Sequence, residues 1–172
     1  SPLECSRYIQ QYLTEHPGLQ RYFATVRQTL LKDRQLVNIY GRVWPVQYER
    51  FGDDLYRRGY SWWPQSENGD LLNQQGFKPC SKWLLKEKLD AAINVQVHDS
   101  LLISCKPENA YDIAAFLKEN LEAPLDYGHC KLSVPVEFKL GRTWKGDLDF
   151  KTLPPRAEFT EAARSLLTKS ST

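Results

Sequence analysis

Ile93-Asn94-Val95-Gln96-Val97-His98-Asp99-Ser100-Leu101-Leu102-Ile103-Ser104-Cys105 sets the architecture of this chain. Ile93, Val95 and Val97 alternate with polar residues, the period of a half-buried strand. A second β-favouring run, Leu101 to Cys105, begins after only three polar residues, and two runs so closely joined read as a hairpin. His98, Asp99 and Ser100 fall together where the backbone turns. A carboxylate held at the end of a rigid hairpin beside an imidazole suits a metal ion or a reacting phosphate. Aspartate is also favoured in turns for its own side-chain hydrogen bonds, so the tip has a structural reading beside the chemical one.

Upstream, helical periodicity covers residues 3–35, with a stop and restart at Glu15-His16-Pro17-Gly18. Tyr8, Ile9, Tyr12 and Leu13 form the apolar stripe before the corner; Leu19, Tyr22, Phe23, Val26, Leu30 and Leu31 form it after. His16 reads as a capping or surface residue. Val37 to Trp44 is a strand-and-turn unit in which Gly41 is expected at positive φ. Arg42 and the nearby Arg34 are solvated charges or phosphate contacts. From Tyr48 a helix candidate carries Arg50, Arg57 and Arg58 into Gly59–Asp70. There basic residues interleave with Tyr60, Trp62, Trp63 and side-chain amides, a mixture that fits a nucleic-acid backbone with base stacks or the aromatic edge of a core. Asn73 to Pro79 reads as a polar loop, and Trp83 to Leu89 as a short lead into the hairpin.

Downstream, Lys106-Pro107-Glu108 opens a helix whose apolar face is Tyr111, Ile113, Ala114, Phe116, Leu117 and Leu121. Leu132 to Leu140 alternates in period two as one strand, with Pro135 placing it at a sheet margin. Gly141-Arg142-Thr143-Trp144 ends it. His129 and Cys130 read as surface and core respectively. Leu153-Pro154-Pro155 is a linker signal, and Glu158 to Leu167 an amphipathic helix expected to dock rather than hang loose.

The chain's 172 residues are most simply one domain with a real core. A net charge of +2 gives no bulk argument for nucleic acid, so any such argument rests on where the cations lie. Cysteines at 5, 80, 105 and 130 include no CxxC pair, which argues against zinc and a redox motif and for reduced, buried thiols. No window approaches a membrane span, and the first residues do not resemble a signal peptide, so a cytoplasmic setting, bacterial or phage-infected, is expected.

The order of these pieces is specific. Gln96-Val97-His98-Asp99 resembles motif C of the family A DNA polymerases, where the run is Val-His-Asp-Glu after a glutamine. Leu132-Ser133-Val134-Pro135-Val136-Glu137, then Gly141 and Trp144, is similar to that family's C-terminal ending. Gln65 and Asp70 fall where the family has its Gln-Gly-Thr-Ala-Ala-Asp helix, and Arg57 stands eight residues before that glutamine, as the resemblance requires. Tyr40-Gly41-Arg42 resembles the family's Phe-Gly-Arg turn, and His16-Pro17-Gly18 its Tyr-Pro-Gly corner. The resemblance covers residues 8–147. Ser100 stands for the motif C glutamate, as in phage-type members; Ser61 stands for an asparagine and Ser66 for a glycine.

The resemblance implies an α+β fold: an antiparallel palm sheet with flanking helices, the C-terminal portion of a right-hand polymerase. Residues 1–47 would be fingers-side helices and the Gly-Arg turn, 48–147 the palm portion, and 148–172 a linker with a docking helix or tail. It implies nucleotidyl transfer with two Mg²⁺ ions about 4 Å apart. Asp99 would bind metal, as half of a pair, and His98 would be its catalytic neighbour at the primer terminus. Arg57, Gln65, Gln96 and Arg42 would contact DNA. The implied partners are primer–template DNA, a dNTP and an upstream polymerase segment carrying motifs A and B, which would precede Ser1, the chain being a split subunit or a cleaved piece. No membrane is implied. Two other readings stay open: a non-catalytic, polymerase-derived DNA-binding or assembly module, and a metal-dependent nuclease using Glu137 as a second carboxylate.

Overall fold

The computed structural model describes residues 2–128 and 130–168, with the side chains of Pro2 and Leu3 excepted, so His129 and the closing Ser-Ser-Thr lie outside the described residues. Helices α1 (Pro2–Glu15) and α2 (Pro17–Asp33) break at the expected corner. Pro17, lacking an N–H, opens α2 where that donor has no helical partner. His16 sits at the N-cap without a side-chain capping bond; its ring packs on Tyr12 at 4.4 Å instead. Strands β1 (Gln35–Val37) and β2 (Val43–Pro45) then pair antiparallel. The turn between them is built by buried Asn38, whose Oδ1 accepts the amides of Tyr40 (3.0 Å) and Arg42 (2.9 Å). Gly41 takes φ 81°, the positive value expected of it.

Helix α3 (Asp53–Leu71) contains Pro64, which cannot donate to the carbonyl of Tyr60 one turn back. The Tyr22 hydroxyl donates to that carbonyl at 2.8 Å, so the group freed by the proline is satisfied from α2. Val26, Leu30, Leu36, Val46 and Leu55 form the core beneath. A Cβ at Gly59 would lie 2.9 Å from Val26 Cγ1 and 3.1 Å from Leu30 Cδ1, so glycine is what lets α3 approach α2.

The chain divides into two compact units, residues 1–68 and 69–172, where length suggested one domain; the division falls inside α3. In the second unit, the segment expected as a polar loop is helical: a π-helical turn, Leu72–Phe77, runs into α4 (Lys78–Lys86). Polar composition misleads there because Leu72 and Gly76 are buried, and a Cβ on Gly76 would lie 3.0 Å from Leu121. Strands β3 (Ala91–Val97) and β4 (Ser100–Cys105) form the hairpin, and α5 (Pro107–Leu121) follows. Trp83 stacks on Phe116 at 4.5 Å.

The single strand expected over 132–140 is interrupted. β6 (Lys131–Leu132) pairs with β5 (Leu125–Asp126), residues 133–137 leave the ladder, and β7 (Phe138–Leu140) pairs with β8 (Leu148–Phe150). Pro135 has no ladder donor, and the next amide, Val136, donates to Glu122 Oε1 at 3.0 Å rather than to a strand. Helix α6 (Arg156–Thr168) packs Phe159 and Ala163 against Ala110 and Ala114 of α5. Arg156 adds a bidentate pair with Asp112 and lies over the Tyr111 ring at 4.6 Å.

The fold is α+β, with four two-stranded antiparallel ladders rather than one continuous sheet among the described residues. The cysteines depart from the sequence expectation. Cys80 is buried and Cys105 half-buried, but Cys5 on α1 and Cys130 in the β5–β6 connection are exposed. All four are free thiols. No helix among the described residues is long and apolar enough to cross a membrane.

Candidate active-site hairpin and DNA contacts

The β3–β4 register pairs Val97 with Ser100, so the loop is two residues, His98 and Asp99. The sequence placed Ser100 in the tip; it is instead the first residue of β4, with its Oγ donating to the Val97 carbonyl at 2.9 Å. His98 makes the turn at φ 50°, a left-handed conformation that costs a non-glycine residue roughly 1–2 kcal/mol. Strain of that kind persists where the surrounding ladder enforces it. His98 and Asp99 are both exposed.

The register slips between Ile93 and Val95, leaving Asn94 as a bulge residue whose Oδ1 accepts the Ser104 hydroxyl at 3.0 Å. The bulge breaks the predicted alternation beyond it. Gln96 becomes half-buried opposite Leu101, and Val97 is 37% exposed at the mouth of the turn.

In the first unit, Arg57, Ser61 and Gln65 follow one another at four-residue spacing along the exposed face of α3. Among the described residues nothing engages the Arg57 guanidinium or the Gln65 amide. Ser66 is used structurally, accepting Asn38 Nδ2 at 3.2 Å and donating to the Trp63 carbonyl at 3.0 Å. Trp62 and Trp63 both pack against the core: Trp62 stacks with Trp44 at 5.7 Å, and Trp63 Nε1 donates to the Val37 carbonyl at 2.9 Å. Arg42 is exposed, its backbone closing the Asn38 turn. Arg34 lies over Phe51 at 4.2 Å, and Arg58 pairs with Glu49 (3.1 Å) while lying over Trp44, so these cations are engaged within the fold. Burial, with a smaller push from Glu67, raises the Tyr22 hydroxyl to about 12, so it stays protonated and donates to the Tyr60 carbonyl.

Among the described residues no three His, Cys, Asp or Glu side chains converge as a metal-binding group. A lone exposed carboxylate such as Asp99 has the hard-oxygen chemistry that Mg²⁺ takes, one ligand of several. Glu137 is exposed in the segment that leaves the ladder. Asn38 escaped notice in the sequence: it shapes the Gly-Arg turn, and an Asn three residues before a glycine was its only signal.

Comparison with known families gives one decisive match: the model of DNA polymerase family A covers residues 1–146. The chain belongs to DNA polymerase family A. This family A chain is thus of the nucleotidyltransferase, DNA polymerase kind, and the family acts on DNA and dNTP, generally with Mg²⁺. Arg42, Arg57, Gln65, Gln96, His98 and Asp99 all lie in the matched region. The match ends inside the β7–β8 connection, so β8 and α6 lie beyond it in this polymerase chain.

Proposed function

We propose that this chain is the C-terminal, palm portion of a template-directed DNA polymerase, and that Asp99 is its metal-binding carboxylate. The observation that carries the reading is Asp99 exposed at a two-residue hairpin tip, within the family match and directly after His98. When bound, a pair of Mg²⁺ ions activates the primer hydroxyl and offsets charge on the triphosphate. The tip's part is positional: a short, bulged hairpin has few soft torsions, so the carboxylate is presented at a fixed point. Asp99 supplies one carboxylate, and a polymerase segment carrying motifs A and B supplies its mate. His98, held in the left-handed turn, contacts the primer-terminal backbone. Arg57 and Gln65, along the open face of α3, and Arg42 and Gln96 hydrogen-bond primer and template. Contacts to phosphate position DNA without reading its sequence. On this reading residues 1–47 serve as fingers-side helices with the Gly-Arg turn, 48–147 as the palm portion with its hairpin, and 148–172 as a linker with a docking helix or tail.

The test is reconstitution. Mixed with the upstream polymerase segment, the chain is expected to support primer extension that neither part shows alone, and Asp99→Ala abolishes it. Full extension by the Asp99→Ala mixture overturns the assignment. One observation favours a second reading, a non-catalytic DNA-binding or assembly module: Ser100, where motif C has its glutamate, is locked into the ladder, and the two-residue loop itself carries Asp99 as its one carboxylate. In that case the mixture binds primer–template with strong salt dependence and never extends it.

A further inference from the structure

Helix α4 has two unlike faces. Cys80 and Leu84 are buried, and Trp83 stacks on Phe116, which fixes the helix against α5. On the opposite side Lys78, Lys82 and Lys86 recur every four residues, all of them exposed. Leu85, seven residues after Lys78 and three after Lys82, falls on that same side and is 78% exposed. Like charges one turn apart destabilise a helix, and an isobutyl group left in water forgoes its burial. Both penalties fall on one strip of surface.

Little in the fold offsets this charge. Among the described residues no side chain engages Lys82. Lys78 Nζ donates to Gln74 Oε1 at 3.1 Å, a neutral amide that leaves the charge in place. Lys86 lies 3.7 Å from Glu87, an exposed pair of small energy. Asp90 is taken by Lys106 at 3.1 Å. On α5, Asp112 is held by Arg156, while Glu119 and Glu122 line a groove with Tyr111 and Leu153. The strip is therefore a row of cations with one apolar side chain set into it. Nucleic-acid phosphates would meet the lysines and leave Leu85 uncovered, and one leucine is too little apolar surface to seat on lipid. An amphipathic helix with carboxylates one turn apart answers both features. Its charges repeat at the same rise, about 6 Å per four residues, and its apolar side covers Leu85.

We propose that the outer face of α4 docks an acidic amphipathic helix of a partner protein, with Lys78, Lys82 and Lys86 pairing its carboxylates and Leu85 seated in its apolar side. It is separate from the polymerase reading, since it needs neither Asp99 nor a metal. The probe is a fluorescein-labelled peptide of two Glu-Leu-Ala-Glu-Glu-Leu-Ala heptads, titrated with the whole chain and followed by fluorescence anisotropy. Saturable binding that weakens as salt rises is expected. Lys82→Glu weakens it roughly tenfold or more and Leu85→Ala roughly threefold or more, while Lys32→Glu, the same charge change on α2, stays within about twofold. Lys82 and Leu85 are both exposed, so neither substitution disturbs the core. Absence of peptide binding overturns the proposal, and so does equal binding by Leu85→Ala. Tighter binding of labelled dT12, lost in Lys82→Glu and indifferent to Leu85→Ala, assigns the strip to nucleic acid and overturns it too.

Discussion

Pro64 and Tyr22 show how a single residue can depend on another far away in sequence. Proline in the body of α3 withdraws one backbone donor, and the Tyr22 hydroxyl replaces it on the Tyr60 carbonyl at 2.8 Å. Tyr22→Phe keeps the ring packing and removes only that donor. It is expected to lower unfolding free energy by about 1–3 kcal/mol, the cost of an unsatisfied part-buried carbonyl. Urea titration followed by circular dichroism measures this; an unchanged midpoint would mean that water replaces the hydroxyl. His98 is the complementary case, a non-glycine residue held left-handed by a two-residue loop. That conformation is invisible in the sequence, because nothing local to Val97-His98-Asp99 forces it until the strands are paired.

At the scale of elements, the C-terminal end of α5 is tied down by charge. Glu122 accepts Lys118 Nζ and, at 3.0 Å, the Val136 amide, and these bonds hold its carboxyl below the usual range. Asp112, paired with Arg156 of α6, is lowered likewise, with the Arg156 hydrogen bond the main cause. A carboxyl whose folded pKa is depressed stabilises the fold at pH values above its unfolded pKa, and that contribution fades as pH falls through the folded value. Stability is therefore expected to be flat near neutrality and to decline below about pH 4. The double variant Asp112→Asn, Glu122→Gln should be less stable at pH 7 and show a shallower acid limb in Tm against pH. An unchanged acid limb would mean that the pairs are fully screened by solvent, as exposed pairs often are. The hairpin and both long first-unit helices were legible from periodicity. The π-helical turn at 72–77 and the broken strand at 133–137 were not, since each depends on a partner, Leu121 or Glu122, that local pattern does not reveal.

For the molecule as a whole, thiol exposure gives a direct reading of which surfaces are covered. Cys5 and Cys130 are exposed and should react with Ellman's reagent at once. Desolvation raises Cys105, and raises Cys80 to about 11, so little thiolate is present at pH 8 and both should lag, Cys80 until the chain unfolds. Four fast thiols would contradict the fold; two fast and two slow are expected. Residue order alone carried the family: the resemblance was read from the hairpin tip, the glutamine–aspartate helix, the Gly-Arg turn and the ending, and the match over residues 1–146 bears out the family itself. The hairpin and the helices that bear those residues were legible because strand period, helix stripe and turn chemistry are set by near neighbours along the chain. What the residue string left open was burial: whether Trp62 and Trp63 face a core or a ligand, which cysteines are covered, that Ser100 belongs to the ladder, and that Trp144 stands in water. Each of these turns on side chains distant in sequence meeting, or failing to meet, once the elements pack, and so they became readable only in three dimensions.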